Sequence, residues 1–279
     1  MNVSQVVSEL NKKYPGKAIF KNDEENTTEI LCEIDPASEH PDYSNAVAVI
    51  DKSIPHIHYK TTETYKVTKG TLTLQVGKET IDLKEGESYV IKPGNPHWAE
   101  GEETWLEYYS EPGWDLEDHI SANDKAKLPY RQGVYALVLN EGRDSILMVL
   151  KKNSGVWDCP GGGIDENETP EQAVKRELLE ELGTDAFEVL HNSQHKYSYD
   201  WPLKEIEKNI KKSGKLMRGQ EQSFIILAFT GKDDDIALQD EELEEYKWVK
   251  LNELKDYMAY PDFYEHIQKV FSEFGIEVK

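Results

Sequence analysis

The sequence predicts a two-part chain, an all-β barrel or sandwich followed by an α/β domain. Three observations carry this expectation. Residues 17–110 alternate short apolar runs with Gly, Asn and Pro turns and leave no room for a helix between them. From Tyr130 onward, strand-like runs are interleaved with stretches of helical period. Between the two, EPGWDLEDHISANDKAKL is polar and lacks periodic apolar positions, as a connecting segment does. The expected domains are therefore 1–115 and 129–279, joined by a linker at 116–128. A chain of 279 residues can bury two separate cores.

In order, Val3 to Leu10 read as a short amphipathic helix. The strands of the first half are KAIF, TEILCEI, NAVAVID, HIHYK, ETYKVTKG, TLTLQVG, ETIDL, SYVIKPG and TWLEYYS. In the second half YRQGVYALVLN and DSILMVLKK form strands joined by a turn at EGRD. AFEVL, HKYSYDW, QSFIILAFTG and YKWVKL follow as further strands. The final segment places Phe263, Ile267, Val270, Phe271 and Phe274 at helical spacing.

Composition narrows the function classes. The formal net charge is −22, from 54 acidic against 32 basic residues. Duplex nucleic acid is gripped by Lys and Arg that neutralise phosphates, so no duplex binding is expected. An anionic membrane surface is disfavoured for the same reason, and no long apolar run suggests a membrane span or signal peptide. Two cysteines, Cys32 and Cys159, make no disulfide framework and fit a reducing compartment; cytoplasmic is the expected location.

Gly161 to Thr184 concentrates the chemistry of the second half. Thr169 is a good N-cap, Pro170 fits the first helical position and Gln172 stands where a capping box needs its return partner. Val174, Leu178 and Leu182 form one apolar stripe, and Gly183 supplies the left-handed terminus. Glu177, Glu180 and Glu181 fall on another stripe, at i, i+3 and i+4. Three carboxylates on one face repel each other unless a cation lies between them, and Mg²⁺ prefers such oxygen ligands and bridges them to phosphates. A solvated acidic face is the alternative reading. The spacing of Gly162, Glu168, Arg176, Glu177, Leu178, Glu180, Glu181 and Gly183 resembles the Nudix box, with only Thr184 departing from its last apolar place.

That resemblance implies a mixed sheet sandwiched between helices, and Mg²⁺- or Mn²⁺-dependent hydrolysis of a nucleoside diphosphate linked to a further group. Carried over position by position, Glu177, Glu180 and Glu181 are metal ligands and Glu181 is the centre of base catalysis. Glu168 and Arg176 form an ion pair that steadies loop against helix, and Gly162 lets the backbone turn beneath the phosphates. The flanking runs Tyr130-Arg131, WDCPGGGID, Tyr199-Asp200-Trp201-Pro202, Arg218 to Gln222 and Tyr246 to Val249 resemble the branch of RNA 5′-pyrophosphohydrolases and diadenosine tetraphosphate hydrolases. It implies a further metal ligand at Glu242, while Arg131, Tyr199 and Arg218 are expected to meet substrate. Gly161 departs from that branch, which carries Gln there, so nucleotide sugars, ADP-ribose and damaged nucleotides stay open as alternative substrates. The expected substrate is a dinucleoside polyphosphate or an RNA 5′-triphosphate, within the wider class of nucleotides and capped or triphosphorylated RNA ends. Lys204, Lys208, Lys211, Lys212, Lys215 and Arg218 fall close together and read either as a basic lid over phosphates or as a solvated loop. Tyr197, Tyr199 and Trp157 read as base-stacking or as core aromatics, and Cys159 as a small buried residue.

The first half has its own constellation. His56 and His58 are two apart on a strand and so share a face. Glu63 follows, and His97 arrives after a hairpin and the Pro93-Gly94 turn. Three imidazoles and a carboxylate suit Zn, Fe, Ni or Mn. The pattern resembles the cupin family, with departures: no Gly precedes His56, Pro93 and Gly94 are adjacent, and no Asn follows His97. It implies a cupin barrel that holds a metal at His56, His58, Glu63 and His97, or one whose polar lining is metal-free. Its role stays open between a small-ligand sensor for the other half and an independent metalloenzyme, and homodimers through the barrel are a further expectation.

Overall fold

The computed structural model describes residues 1–238, 243–259 and 261–278. The chain divides into two compact units, but not at the expected boundaries. The first comprises residues 1–129 together with 201–218, and the second residues 130–200 and 219–279.

In the first unit, α1 (Val3–Lys13) leads into β1 (Ile19–Lys21), β2 (Glu29–Asp35), β3 (Ser44–Lys52) and β4 (His56–Ile57). They are followed by β5 (Thr62–Lys69), β6 (Thr71–Val76), β7 (Glu79–Lys84), β8 (Ser88–Ile91), β9 (His97–Glu111) and β10 (Ile120–Ser121). The long strand β9 organises them. Its first residues pair with β4 and β6, and its later ones with β3 and β5, so one bent strand serves both sides of a curled sheet. Alternation on β3 sorts the packing. Ala48 and Ile50 turn inward to Val67, Leu74 and Leu106, while Val47 and Val49 turn outward to Val6 and Leu10 of α1.

The expected linker is part of this unit. Ile120 and Ser121 pair antiparallel with Ile57 and His56, and Asp118 accepts hydrogen bonds from the amides of Tyr59, Lys60 and Thr61 at 3.0–3.1 Å. A short polar strand has no periodicity to announce it, which is why the segment reads as a connector.

The lysine-rich stretch is a helix, α3 (Leu203–Ser213). Ile206 and Ile210, one turn apart, are buried with Trp98, Ile57, Ala122 and Leu128 of the barrel. Lys52 pairs with Glu207 at 2.8 Å, and Lys211 lies 5.6 Å from the centre of the Trp98 indole. The apolar stripe therefore decides where the segment goes, and its lysines are the helix's outer rim. Domain limits drawn from the sequence at 129 miss this return of the chain.

The second unit contains β11 (Tyr130–Leu139), β12 (Ser145–Lys151), β13 (Val156–Asp158), β14 (Gly161–Gly163) and α2 (Pro170–Leu182). After them come β15 (Phe187–Asp200), β16 (Gly219–Phe229), β17 (Leu243–Lys250) and α4 (Pro261–Glu273). The sheet order β13-β12-β11-β16-β15 mixes a parallel β11–β16 pair with antiparallel neighbours, and β14 and β17 add to β11 and β12. Val134, Ala136 and Val138 face Val174, Leu178 and Leu182 of α2, whereas Leu137 and Leu139 face Ile267, Val270 and Phe271 of α4. The unit is thus a sheet sandwiched by helices. AFEVL and HKYSYDW form one strand, β15, whose register shifts near Val189–His191 and Asn192–Lys196 carry it past the polar run that separates them in sequence. No helix among the described residues is long and apolar enough to cross a membrane.

Ile210→Ala tests the membership of α3. Truncating this fully buried side chain should destabilise the barrel unit by about 2–5 kcal/mol, read by chemical denaturation. A change below about 0.5 kcal/mol, normal for a surface site, would remove α3 from the core.

Candidate functional site

Helix α2 carries the acidic face because its ends are fixed locally. The Thr169 side chain accepts from the Gln172 amide and the Gln172 side chain accepts from the Thr169 amide, with Gly183 left-handed at φ 69°. Ala173, Val174, Leu178 and Leu182 are buried beneath, so rotation about the axis is fixed as well.

Arg176 sits at the centre of the resulting cluster. Its guanidinium grips Glu168 with two parallel bonds of 3.0 and 2.9 Å, donates to Glu177 at 2.8 Å and Glu180 at 3.3 Å, and reaches the Gly163 carbonyl at 2.8 Å. The Glu168 pair raises the Arg176 pKa further above its ordinary value, and Arg176 lowers that of Glu168. Three carboxylates thus share one guanidinium. Glu181 points elsewhere: it is 6% exposed, and one of its oxygens accepts from the Gly161 amide at 3.0 Å.

The glycine run is itself strand β14, paired antiparallel with β11 so that Gly161, Gly162 and Gly163 face Tyr135, Val134 and Gly133. A Cβ at Gly162 would collide with the Glu177 carboxylate, and one at Gly163 with the Arg131 guanidinium. At Gly161, φ is +137° and a Cβ would strike the Val134 carbonyl. The residue that departs from the resembled branch is therefore demanded by this backbone.

An all-oxygen set in which negative charge outnumbers its one guanidinium suits a hard divalent cation. Among the described residues, however, the helix carboxylates do not close to ligand spacing; Arg176 holds Glu177 and Glu180 instead. Arg131 is half-buried beside this cluster on β11. Tyr199 donates to Gln220 at 3.0 Å on the adjoining strands, and Arg218 lies in the segment that belongs to the barrel unit. Glu242 lies outside the described residues. Tyr197 packs among Phe263 and His266 and donates to Asp262, and Trp157 meets Tyr257 edge-on, both against the α4 side of the core. Cys159 is fully buried, and burial pushes its thiol well above the ordinary range.

In the barrel, His56, His58, Glu63 and His97 are all buried, and one ligand atom from each lies within 4.8 Å of the others. Strand β4 ends at Ile57, so His58 follows the strand; the Asp118-held turn fixes the stretch after it. Nδ1 of His56 and His97 each meet a backbone carbonyl, of Ile54 at 2.8 Å and Asn95 at 3.0 Å. That leaves Nε2 of His97 on Glu63 at 2.9 Å and Nε2 of His56 3.8 Å from the same carboxylate. Both ring nitrogens of His58 are buried without a hydrogen-bond partner. Carbonyl-anchored imidazoles with inward Nε2 atoms, plus an orphaned one, fit a transition metal's donor set. Burial would raise the Glu63 carboxyl, but His56 and His97 outweigh it and hold it well below its usual value. Burial also keeps His58 neutral, with its pKa pushed down to about 4, as a ligand imidazole must be.

His119 was hidden from the sequence reading. It comes from the supposed linker, stacks on His56 with ring centres 4.5 Å apart, and its Nδ1 is buried without a partner. Long-range contacts bring it there, the pairing of β10 with β4 and the bonds of Asp118 to the Tyr59–Thr61 amides, and a lone His in a polar run gives no such signal.

Comparison with known proteins finds two families along the chain, and residues 201–218 fall within the later match. A family described as NUDIX domain matches residues 129–270 and one described as Cupin domain matches 47–105. An RNA pyrophosphohydrolase of Gluconacetobacter diazotrophicus is 39% identical over 146 residues, spanning 48% of this chain and 84% of that protein. An RNA pyrophosphohydrolase of Rickettsia canadensis is 38% identical over 132 residues, 46% of this chain and 79% of the other. A crystal structure of a C. elegans Ap4A hydrolase aligns with 53% of this chain and 99% of its own, at 16% identity and a TM-score of 0.39.

Proposed function

The chain belongs to the NUDIX family and is a pyrophosphohydrolase; on that premise we propose that it removes pyrophosphate or successive phosphates from 5′-triphosphorylated RNA. The observation that carries this reading is the Arg176 cluster, which holds an acidic helix face close against a glycine strand that has no room for side chains. The names of its RNA-acting relatives, matched over most of their length, support the choice of substrate.

In this reading Glu177, Glu180 and Glu181 would hold Mg²⁺ or Mn²⁺, with Glu177 and Glu180 turning from Arg176 to do so, and the ion would supply charge neutralisation on the phosphate oxygens. The chain's own groups do the rest. Arg131, half-buried at the head of β11, binds a phosphate by a charge-assisted contact. Glu181, aligned by the Gly161 amide, takes the proton of the attacking water as the phosphoanhydride breaks. Arg176 keeps loop and helix in register. Tyr199 contacts the nucleotide from β15.

The barrel holds a transition metal at His56, His58, Glu63 and His97 in the same reading, supported by the carbonyl-anchored rings and the orphaned His58.

Two experiments test these assignments. With Mg²⁺ and a panel of 5′-triphosphorylated RNA, diadenosine tetraphosphate, ADP-ribose and sugar nucleotides, RNA should be the preferred substrate. Glu181→Gln should lower kcat about 10²–10⁴-fold with little change in melting temperature. Activity confined to a sugar nucleotide would contradict the RNA reading, and an undiminished variant would contradict the role of Glu181. For the barrel, elemental analysis should find about one transition-metal ion per chain, lost in His58→Ala/His97→Ala. An unchanged metal content in that variant would place the ion elsewhere.

A further inference from the structure

The barrel also contains a cavity of about 550 Å³ that the pyrophosphohydrolase reading leaves unused. This is the size range of small-molecule pockets. Its lining joins His56 and Glu63 to Glu29, Tyr65, Tyr108, Trp114 and His119.

The charge of the lining excludes one large class of ligand. Beyond the metal-site Glu63, Glu29, Glu33 and Asp35 contribute three carboxylates, and the one lysine among the described lining residues, Lys21, is paired with Glu24 at 2.7 Å. A phosphate or carboxylate entering here meets like charge while losing its hydration. The polar groups are built for hydroxyls instead. Tyr65 and Tyr108 stack with ring centres 4.2 Å apart, donating to Glu63 at 3.2 Å and Glu29 at 3.4 Å respectively.

Aromatic surface supplies the other half of the grip. Trp114 is 39% exposed and Phe20 54%, and both line the cavity, so each offers ring surface to a ligand there. The Trp114 ring lies 5.7 Å from that of His119, whose Nδ1 is buried and unpartnered. A buried donor or acceptor without a partner costs stability that a ligand's hydroxyl recovers.

We propose that this cavity binds an uncharged, hydroxyl-bearing ring compound of monosaccharide or nucleoside size, laid against Trp114 beside His119 and hydrogen-bonded by Tyr108 and Glu29. The ring face lies on the indole, as planar bases and sugar faces do on aromatic groups, and hydroxyls reach Tyr108, Glu29 and His119. The site is independent of the hydrolytic one and takes a different chemical class, neutral where the other takes polyanions.

Titration calorimetry on the full chain tests this, with adenosine, uridine, glucose and ribose as neutral probes and AMP and glucose 6-phosphate as charged counterparts. The heat that disappears in Trp114→Ala reports this cavity and not the hydrolytic site. That heat should come from at least one neutral probe, and its phosphorylated counterpart should bind about tenfold or more weakly. Which neutral probe responds separates nucleoside from sugar. Tyr108→Phe, a milder change, should weaken the same probe about fivefold or more while the melting temperature holds. The proposal is overturned if no neutral probe gives Trp114-dependent heat, if the phosphorylated form binds as tightly there, or if Tyr108→Phe leaves the affinity unchanged.

Discussion

One guanidinium holds the hydrolytic half together. Arg176 closes a two-pronged pair with Glu168 across the turn before α2 and caps the Gly163 carbonyl, while also restraining Glu177 and Glu180. Planar five-donor geometry makes this feasible; a lysine offers a point charge and could not match both edges. The helix would survive without it, because its capping box, buried stripe and left-handed Gly183 are independent of Arg176. What would be lost is the register between the carboxylates and the glycine strand.

Arg176 also explains the crowding of glutamates. Glu168, Glu177 and Glu180 surround a single positive charge, and the excess negative charge is what a divalent cation would be attracted to. Glu181 differs in being buried and aligned by the Gly161 amide. The same glycine strand that aligns it can carry no side chain at Gly161 or Gly162 without a collision. Small residues, one buried carboxylate and one arginine therefore form a single constraint.

How much of this was legible in sequence depended on how local the signal was. Thr169, Gln172, Gly183 and the Val174–Leu178–Leu182 stripe act within one helix, and the spacing alone located α2 and its acidic face. His56, His58, Glu63 and His97 come together from β4, the turn after it, β5 and β9, and their short spacings were visible although His58 lies off the strand. His119 and Asp118 were not: they join the barrel through the Asp118 hydrogen bonds and the two-residue strand β10, whose partners lie some sixty positions upstream, and so short a strand has no pattern. In α3 the conspicuous lysines obscured Ile206 and Ile210, the two residues that decide where the segment packs. Charge is visible along a sequence, but burial is decided by a long-range partner, here Trp98.

The most direct measurement of the central claim is amide hydrogen exchange across residues 161–169 in the full chain, compared with Arg176→Lys. The account predicts that the lysine variant keeps the protection of α2 but exchanges markedly faster in the glycine strand and the turn that follows, because the forked pair with Glu168 and the bond to Gly163 are gone. Equal protection of 161–169 in both proteins would contradict it, since Arg176 would then not be what holds the strand against the helix.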